Sequence, residues 1–291
     1  MISGFRFKFR LFVRKVMNVI GLSICSLAGV LATAALCLVV GYIVKNGYQA
    51  VNWKLITQGP TPIGTEGGGL RNAIVGTLVL LAVASCIGVP LGVLAGIYQA
   101  EKAGKFAKTV RFLADVLNSV PSIVIGLFVY AVVVIPIARM HEGNGFSALA
   151  GGIALSIIMI PIIMTATEEI LKMVPRRLYE GSLALGATRF TTMFRVIVPA
   201  AKAGLITGIM LAVARVAGET APLLFTAFGN VTFSVRLDKP IDSLPLSIFY
   251  NATSPYDYLK SQAMAGSLIL MMIIAVFRLS ARLTTRKSKM A

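Results

Sequence analysis

The chain has 291 residues, 57% hydrophobic and only 13% charged, against about 25% charged in soluble domains. Its long uncharged runs exclude an ordinary soluble domain and imply a protein embedded in a bilayer. The net charge of +17, from 28 Lys and Arg against 11 Asp and Glu, falls between the apolar runs. It therefore points to membrane orientation rather than to nucleic acid.

Residues 1–16 form a basic tail in which Arg6, Lys8, Arg10, Arg14 and Lys15 alternate with Phe5, Phe7, Phe9 and Phe12. Such a segment suits the cytoplasmic lipid interface. Residues 17–44 are the first transmembrane helix. Ala32-Thr33-Ala34 could mimic a signal-peptide cleavage site, but the apolar run continues to Val44, well past an h-region of about 7–15 residues. Residues 45–72 are polar and turn-rich and read as an external loop leading to Arg71. The second span, 73–98, carries Gly88, Gly92 and Gly96 at four-residue spacing, which lets helix backbones approach closely; packing within the chain is the plainer reading than a dimer seam.

Residues 99–112 are a short basic loop. The third span, 113–138, has Asp115, Asn118, Ser119 and Pro121 near its start, where the proline should kink or restart the helix. Residues 139–146 (Arg139, His141, Glu142, Asn144) are external, and the fourth span, 147–167, is expected to bend at Pro161. A basic loop, 168–202, leads to the fifth span, 203–228, with Gly204 and Gly208 at its start. Residues 229–260 are external, and Leu244 to Phe249 read there as a partner-facing patch. The sixth span is 261–283, and 286–291 is a second basic tail.

Six spans put both termini on one side. With that side as cytoplasm, 20 of the 28 Lys and Arg are inside, seven are outside, and Arg215 lies within the fifth span. The positive-inside rule therefore places both termini and the 168–202 loop in the cytoplasm. Cys25, Cys37 and Cys86 all lie in apolar runs and form no CxxC pair, and His141 is the only histidine. Neither a disulfide framework nor a metal site is expected.

Arg215 and Glu219 are the main chemical signal. They fall in Ala214-Arg215-Val216-Ala217-Gly218-Glu219-Thr220-Ala221-Pro222, read as mid-helix and mid-membrane. An arginine there costs about 2.5–3.5 kcal/mol on insertion scales and should face protein or water. At i and i+4 the two would share a helix face and neutralise each other. Gly218 and Pro222 weaken the helix around them. The guanidinium fork suits oxyanions, so Arg215, Glu219 and Thr220 are candidate lining of an anion pathway. The alternative is a structural pair to a neighbouring helix. Arg71 is a candidate outer gate, or simply a surface charge.

Within 168–202, Glu180-Gly181-Ser182 is followed by Gly186 and then by Val196-Ile197-Val198-Pro199. Gly186 can end a helix in the left-handed conformation, giving a helix–Gly–helix elbow whose second helix covers 189–198. This segment resembles the EAA loop of ABC importer permeases, with Gly181 and Ser182 in place of two alanines. The resemblance implies that the elbow, with Glu180, Gly186 and Pro199, seats on a separate ATPase subunit. This chain has no GxxxxGK[ST] phosphate loop and so does not hold ATP in that way.

Three further stretches, Thr65 to Leu70, Pro121 to Tyr130 and Ala217 to Ala227, are similar to the A-type membrane subunits of bacterial high-affinity phosphate importers. The likeness covers about residues 60–285. It implies an all-α permease core with six transmembrane helices in the type I (MetI-like) importer fold, in the bacterial inner membrane. It further implies a homologous second permease, two cytoplasmic ATPase subunits that hold ATP and Mg²⁺, and an external phosphate-binding protein. The alternatives are a permease for another oxyanion, such as molybdate, tungstate or phosphonate, and a secondary anion carrier. A carrier often shows paired repeats, which are not evident between the two halves of this sequence.

Overall fold

The computed structural model describes residues 2–62, 65, 67–102, 104–140 and 145–288, with the side chains of 2–11, 13 and 281–288 left aside. His141, Glu142 and Asn144, singled out above, lie outside the described residues, as do Glu66 of the Thr65 to Leu70 stretch and Lys289 of the second basic tail. Among the described residues, six helices are long and apolar enough to cross a membrane: Arg14–Gly47, Arg71–Glu101, Ser122–Met140, Ala148–Lys172, Arg189–Val216 and Asp257–Ser280. The all-helical, six-span expectation holds.

The first helix, α1 (Ile2–Gly47), runs from the basic tail through the first span without a break. It touches the rest of the chain at its outer end, along the last helix, α13 (Asp257–Ser288). There, a Cβ on Gly47 would sit 2.7 Å from the Met264 carbonyl oxygen. A short helix, α2 (Trp53–Thr57), is capped by Asn52, whose side chain accepts the Leu55 N–H at 2.7 Å. The second span is α3 (Arg71–Glu101).

The third span differs from the sequence reading. It begins at Ser122, not near 113. Residues before it form a separate amphipathic helix, α4 (Lys105–Ser119). Pro121 is the reason: it disfavours helix at Val120, which is extended at φ −71°, ψ 130°. Beyond it, α5 (Ser122–Val129) passes through a π-turn at Tyr130–Val134 into α6 (Ile135–Met140).

The fourth span, α7 (Ala148–Lys172), is the centre of the molecule. It is continuous through Pro161, and 67% of its apolar stretch is buried. Both glycine series pack on it. A Cβ on Gly88 would meet Met159 at 3.2 Å, on Gly92 Ile163 at 2.7 Å, and on Gly96 Thr167 at 2.5 Å. Gly204 faces Ile170 at 2.8 Å and Gly208 faces Ala166 at 3.2 Å. A four-residue repeat drifts only slowly around a helix, so α3 lies along α7 over two full turns of contact. Leu80, Leu155, Met159 and Ile163 fill the seam.

After α7 come α8 (Arg176–Ala184) and α9 (Arg189–Thr192). A π-turn at Met193–Ile197 then leads directly into α10 (Val198–Val216). The fifth span is therefore Arg189–Val216, not 203–228, and Pro199 does not interrupt it. Each π-turn ends two residues before a proline, Pro136 in one case and Pro199 in the other. Proline offers no N–H, so an i→i−4 bond is missing in the turn it closes. The ladder widens there, with Ile135 donating to Tyr130 and Val198 to Met193 five residues back.

The side away from α8 and α9 is closed by α11 (Ala221–Leu224) and α12 (Leu244–Ala252). The expected partner-facing patch is not exposed. Leu244, Pro245, Leu246 and Ser247 are buried, and only Phe249 of that stretch is open. Ser243 caps α12, turning this apolar face inward onto α3 and α13. Phe228, at φ 63°, stacks on Phe146 at 4.6 Å, which stacks on Tyr130 at 5.9 Å.

Gly92→Leu should lower the thermal unfolding midpoint of the detergent-purified chain, because overpacking costs about 1–3 kcal/mol. Gly29→Ala, where a Cβ meets nothing within 4 Å, should leave it unchanged or raised.

Candidate functional site

Helix α10 ends one residue after Arg215. The Ala217 N–H makes the last α-type bond, to Val213 at 2.9 Å, and the Glu219 N–H turns back to Val216 at 3.1 Å. Gly218 and Pro222 stop the helix, so Glu219 is not one turn above Arg215 on a common face. The expected neutralising pair is absent: no ion pair joins the two among the described residues. Both instead line a cavity of about 130 Å³ with Asn118, Val120, Ser122 and Ile158. Ile158 and Ile162, on its far wall, lie near the midpoint of α7. The site is thus level with the middle of the fourth span, yet Arg215 is exposed on this chain and Glu219 half-buried.

The approach of α5 to α11 builds this cavity. A Cβ on Gly126 would lie 2.6 Å from the Pro222 Cα, so only glycine admits the contact. Thr220 is half-buried and opens α11, its carbonyl accepting the Leu223 N–H at 3.1 Å. Arg71 is elsewhere. It is exposed at the start of α3, with its guanidinium 4.5 Å from the centre of the Phe233 ring.

On the opposite side, α8 and α9 form the elbow expected from the sequence. Gly186 is left-handed at φ 84°. The Ser182 and Thr192 hydroxyls meet at 2.9 Å, and Thr188 caps α9 by accepting the Thr191 N–H at 3.2 Å. The elbow's outer surface is exposed and mixed, with Glu180 and Arg177 beside Leu185 and Phe190. No Cβ contact constrains Gly181. Pro199 is exposed in the first turn of α10. A cavity of about 640 Å³ lies alongside, lined by Tyr179, Glu180, Leu183, Met193 and Ile197 among others.

Two carboxylates went unnoticed in the sequence. Glu168, read as the start of a loop, is in α7 and only 2% exposed, bridged by Lys172 at 2.5 Å and by Arg111. The i,i+4 spacing to Lys172 was visible; the reach of Arg111 from α4 was not. Asp242 lines an outer cavity of about 460 Å³ with Asn230, Ser247 and Tyr250. It accepts the Ser247 hydroxyl at 2.6 Å and the Ser243 N–H at 2.8 Å. Burial nevertheless pushes its carboxyl up to about 6, against those two hydrogen bonds.

Comparison with known proteins matches this architecture. A family model described as "Binding-protein-dependent transport system inner membrane component" matches residues 88–289. The chain belongs to this family of multi-pass importer permeases. Within it, the chain is 43% identical over 248 residues to the phosphate transport system permease protein PstA of Yersinia pestis, covering 84% of this chain and 82% of that one. It is 38% identical to the PstA of Haemophilus influenzae, over 96% of this chain and 98% of that one. The resemblance drawn from the residues is therefore borne out. Among solved structures, a bacterial alginate ABC transporter superposes with a TM-score of 0.63 at 15% identity, over 89% of this chain and 93% of that one. An inward-facing MetNI methionine transporter gives 0.58 at 19%, over 75% and 94%. These two show the fold alone. Membership implies that the chain works in a complex with other transporter subunits.

Because the folded carboxyl of Asp242 titrates near 6, against an ordinary value of about 3.9, the folded state holds the extra proton between those values. Its ionisation costs stability as pH rises through that window. Asp242→Asn should therefore stabilise the protein at pH 7, by up to ~3 kcal/mol at 1.36 kcal/mol per unit, and have little effect at pH 4. Thermal unfolding at the two pH values checks this.

Proposed function

We propose that this chain is a permease subunit moving inorganic phosphate into the cytoplasm, driven by ATP hydrolysis on separate subunits. The observation that carries the reading is Arg215: exposed, without an ion pair among the described residues, and level with the midpoint of the buried span α7. A charge there needs protein or water over it. A homologous second permease across the Arg215 face would leave a wet, anion-attracting path between the two subunits. Arg215 would meet phosphate oxygens through its fork, with Glu219 and Thr220 beside it and Arg71 at the outer mouth. The names of the relatives, which are phosphate permeases, support the substrate.

The coupling side follows the same logic. Glu180, Gly181, Ser182, Gly186 and Pro199 form an exposed elbow on the basic, cytoplasmic side, where two ATPase subunits carrying ATP and Mg²⁺ would grip it. An external phosphate-binding protein would deliver substrate from the other side. Both termini lie in the cytoplasm on the distribution of Lys and Arg. A permease for another oxyanion is the second reading, because arginine chemistry serves any of them.

The test is radiolabelled phosphate uptake by proteoliposomes holding this chain with its partner permease and ATPase, and receptor outside. Uptake should need both ATP and receptor and should fail with Glu180→Lys. Arg215→Gln should lower uptake about 10–100-fold, the worth of a charge-assisted hydrogen bond of about 1.5–3 kcal/mol, in a complex that still assembles. Normal uptake by that variant would overturn the pathway assignment. ATP-independent flux would hand the function to a carrier.

A further inference from the structure

The buried carboxylate at the Lys172 end of α7 takes no part in lining the Arg215 cavity. Glu168 is 2% exposed and held by two cations of different origin. Lys172 is one turn along the same helix, so it neutralises Glu168 without joining anything to anything. Arg111 comes from α4, so its contact with Glu168 ties two helices together. The guanidinium reaches inward from a side chain that is itself half exposed.

The ends of these two helices are informative. Four residues beyond Glu168, α7 finishes at Lys172 and leads through Pro175 into α8, which carries Glu180. In the other direction from Arg111, the last turn of α4 supplies Asn118 and Leu117 to the cavity of Arg215 and Glu219, and Val120 follows. Arg111 and Asn118 are about 10 Å apart along one helix at 1.5 Å per residue. Behind the contact, α4 is seated on α3 by the Gln99 side chain donating to the Ala107 carbonyl at 2.7 Å, and by Tyr98 edge-on to Phe106 at 5.7 Å.

We propose that Glu168 is a positioning residue which, through Arg111, makes α4 follow the coupling elbow, so that movement of α8 reshapes the wall of the Arg215 cavity. A bare carboxylate in this site needs its counter-charges, which makes the α4–α7 joint stiff where side-chain packing alone would let the helices slide. The inference rests on the permease reading above, but its test does not require that phosphate be the anion.

The experiment uses the whole reconstituted complex with spin labels at Thr109 on α4 and Met173 at the end of α7. In the otherwise unaltered protein, the label distance should be the same without nucleotide and with ATP, because the joint holds. Arg111→Gln should make that distance shift or broaden on adding ATP, while Lys172→Gln should behave like the unaltered protein. Phosphate moved per ATP hydrolysed should fall several-fold in Arg111→Gln, with ATP hydrolysis retained. Exchanging the charges, Arg111→Glu with Glu168→Arg, should restore the distance. An unchanged distance in Arg111→Gln, or equal effects of Arg111→Gln and Lys172→Gln, would overturn the proposal. Absence of phosphate uptake by the unaltered complex would instead overturn the substrate reading and leave the distance test in force.

Discussion

A guanidinium at mid-membrane depth must have protein or water on every side, and the arrangement around Arg215 can be understood from that requirement. Helix α10 delivers it and then stops, because Gly218 and Pro222 do not sustain the helix. Pro121 breaks the chain opposite, so that α4 and α5 meet at the same depth and leave a small polar cleft between them. Gly126 lets α5 close onto Pro222. The breaks at Pro121 and Gly218 adjoin the cavity, where a bilayer tolerates irregular backbone.

Around this cleft the scaffold is stiff. Helix α7 is buried along most of its length, and glycines on α3 and α10 bring both neighbours against it. In lipid, helices gain little from hydrophobic burial against each other, and close backbone approach is what holds them. The same helix leads into the elbow of Glu180, so the most buried span of the permease joins that elbow to the wall of the cleft.

Much of this was legible in the sequence. Hydropathy gave six spans, and the spacing from Glu180 to Pro199 gave the elbow. The boundaries of the third and fifth spans were less readable. Residues 105–112 are polar enough to pass for loop, yet they open the amphipathic helix α4; residues 189–198, read as a separate short helix, run on into α10. Pro199 looked like a border but is absorbed by a π-turn, as is Pro136. The Leu244–Phe249 stretch looked like a docking patch because composition does not say which way an outer helix faces. The i,i+4 argument for Arg215 and Glu219 assumed a helix that the intervening glycine ends. Arg111 and Glu168 are 57 residues apart in sequence, and only the antiparallel run of α4 along α7 brings them together.

The most direct test of the account is whether the Arg215 cleft is wet. In a background with Cys25, Cys37 and Cys86 replaced, a single cysteine at Asn118 in the assembled complex would be treated with a membrane-impermeant, anionic thiol reagent. Reagent supplied outside should label it in the ATP-bound complex and not in the nucleotide-free one, and Arg215→Gln should slow the labelling. A cysteine at Asn118 that stays unreactive from both sides in both states would show a dry cleft, and Arg215 with Glu219 would then be structural.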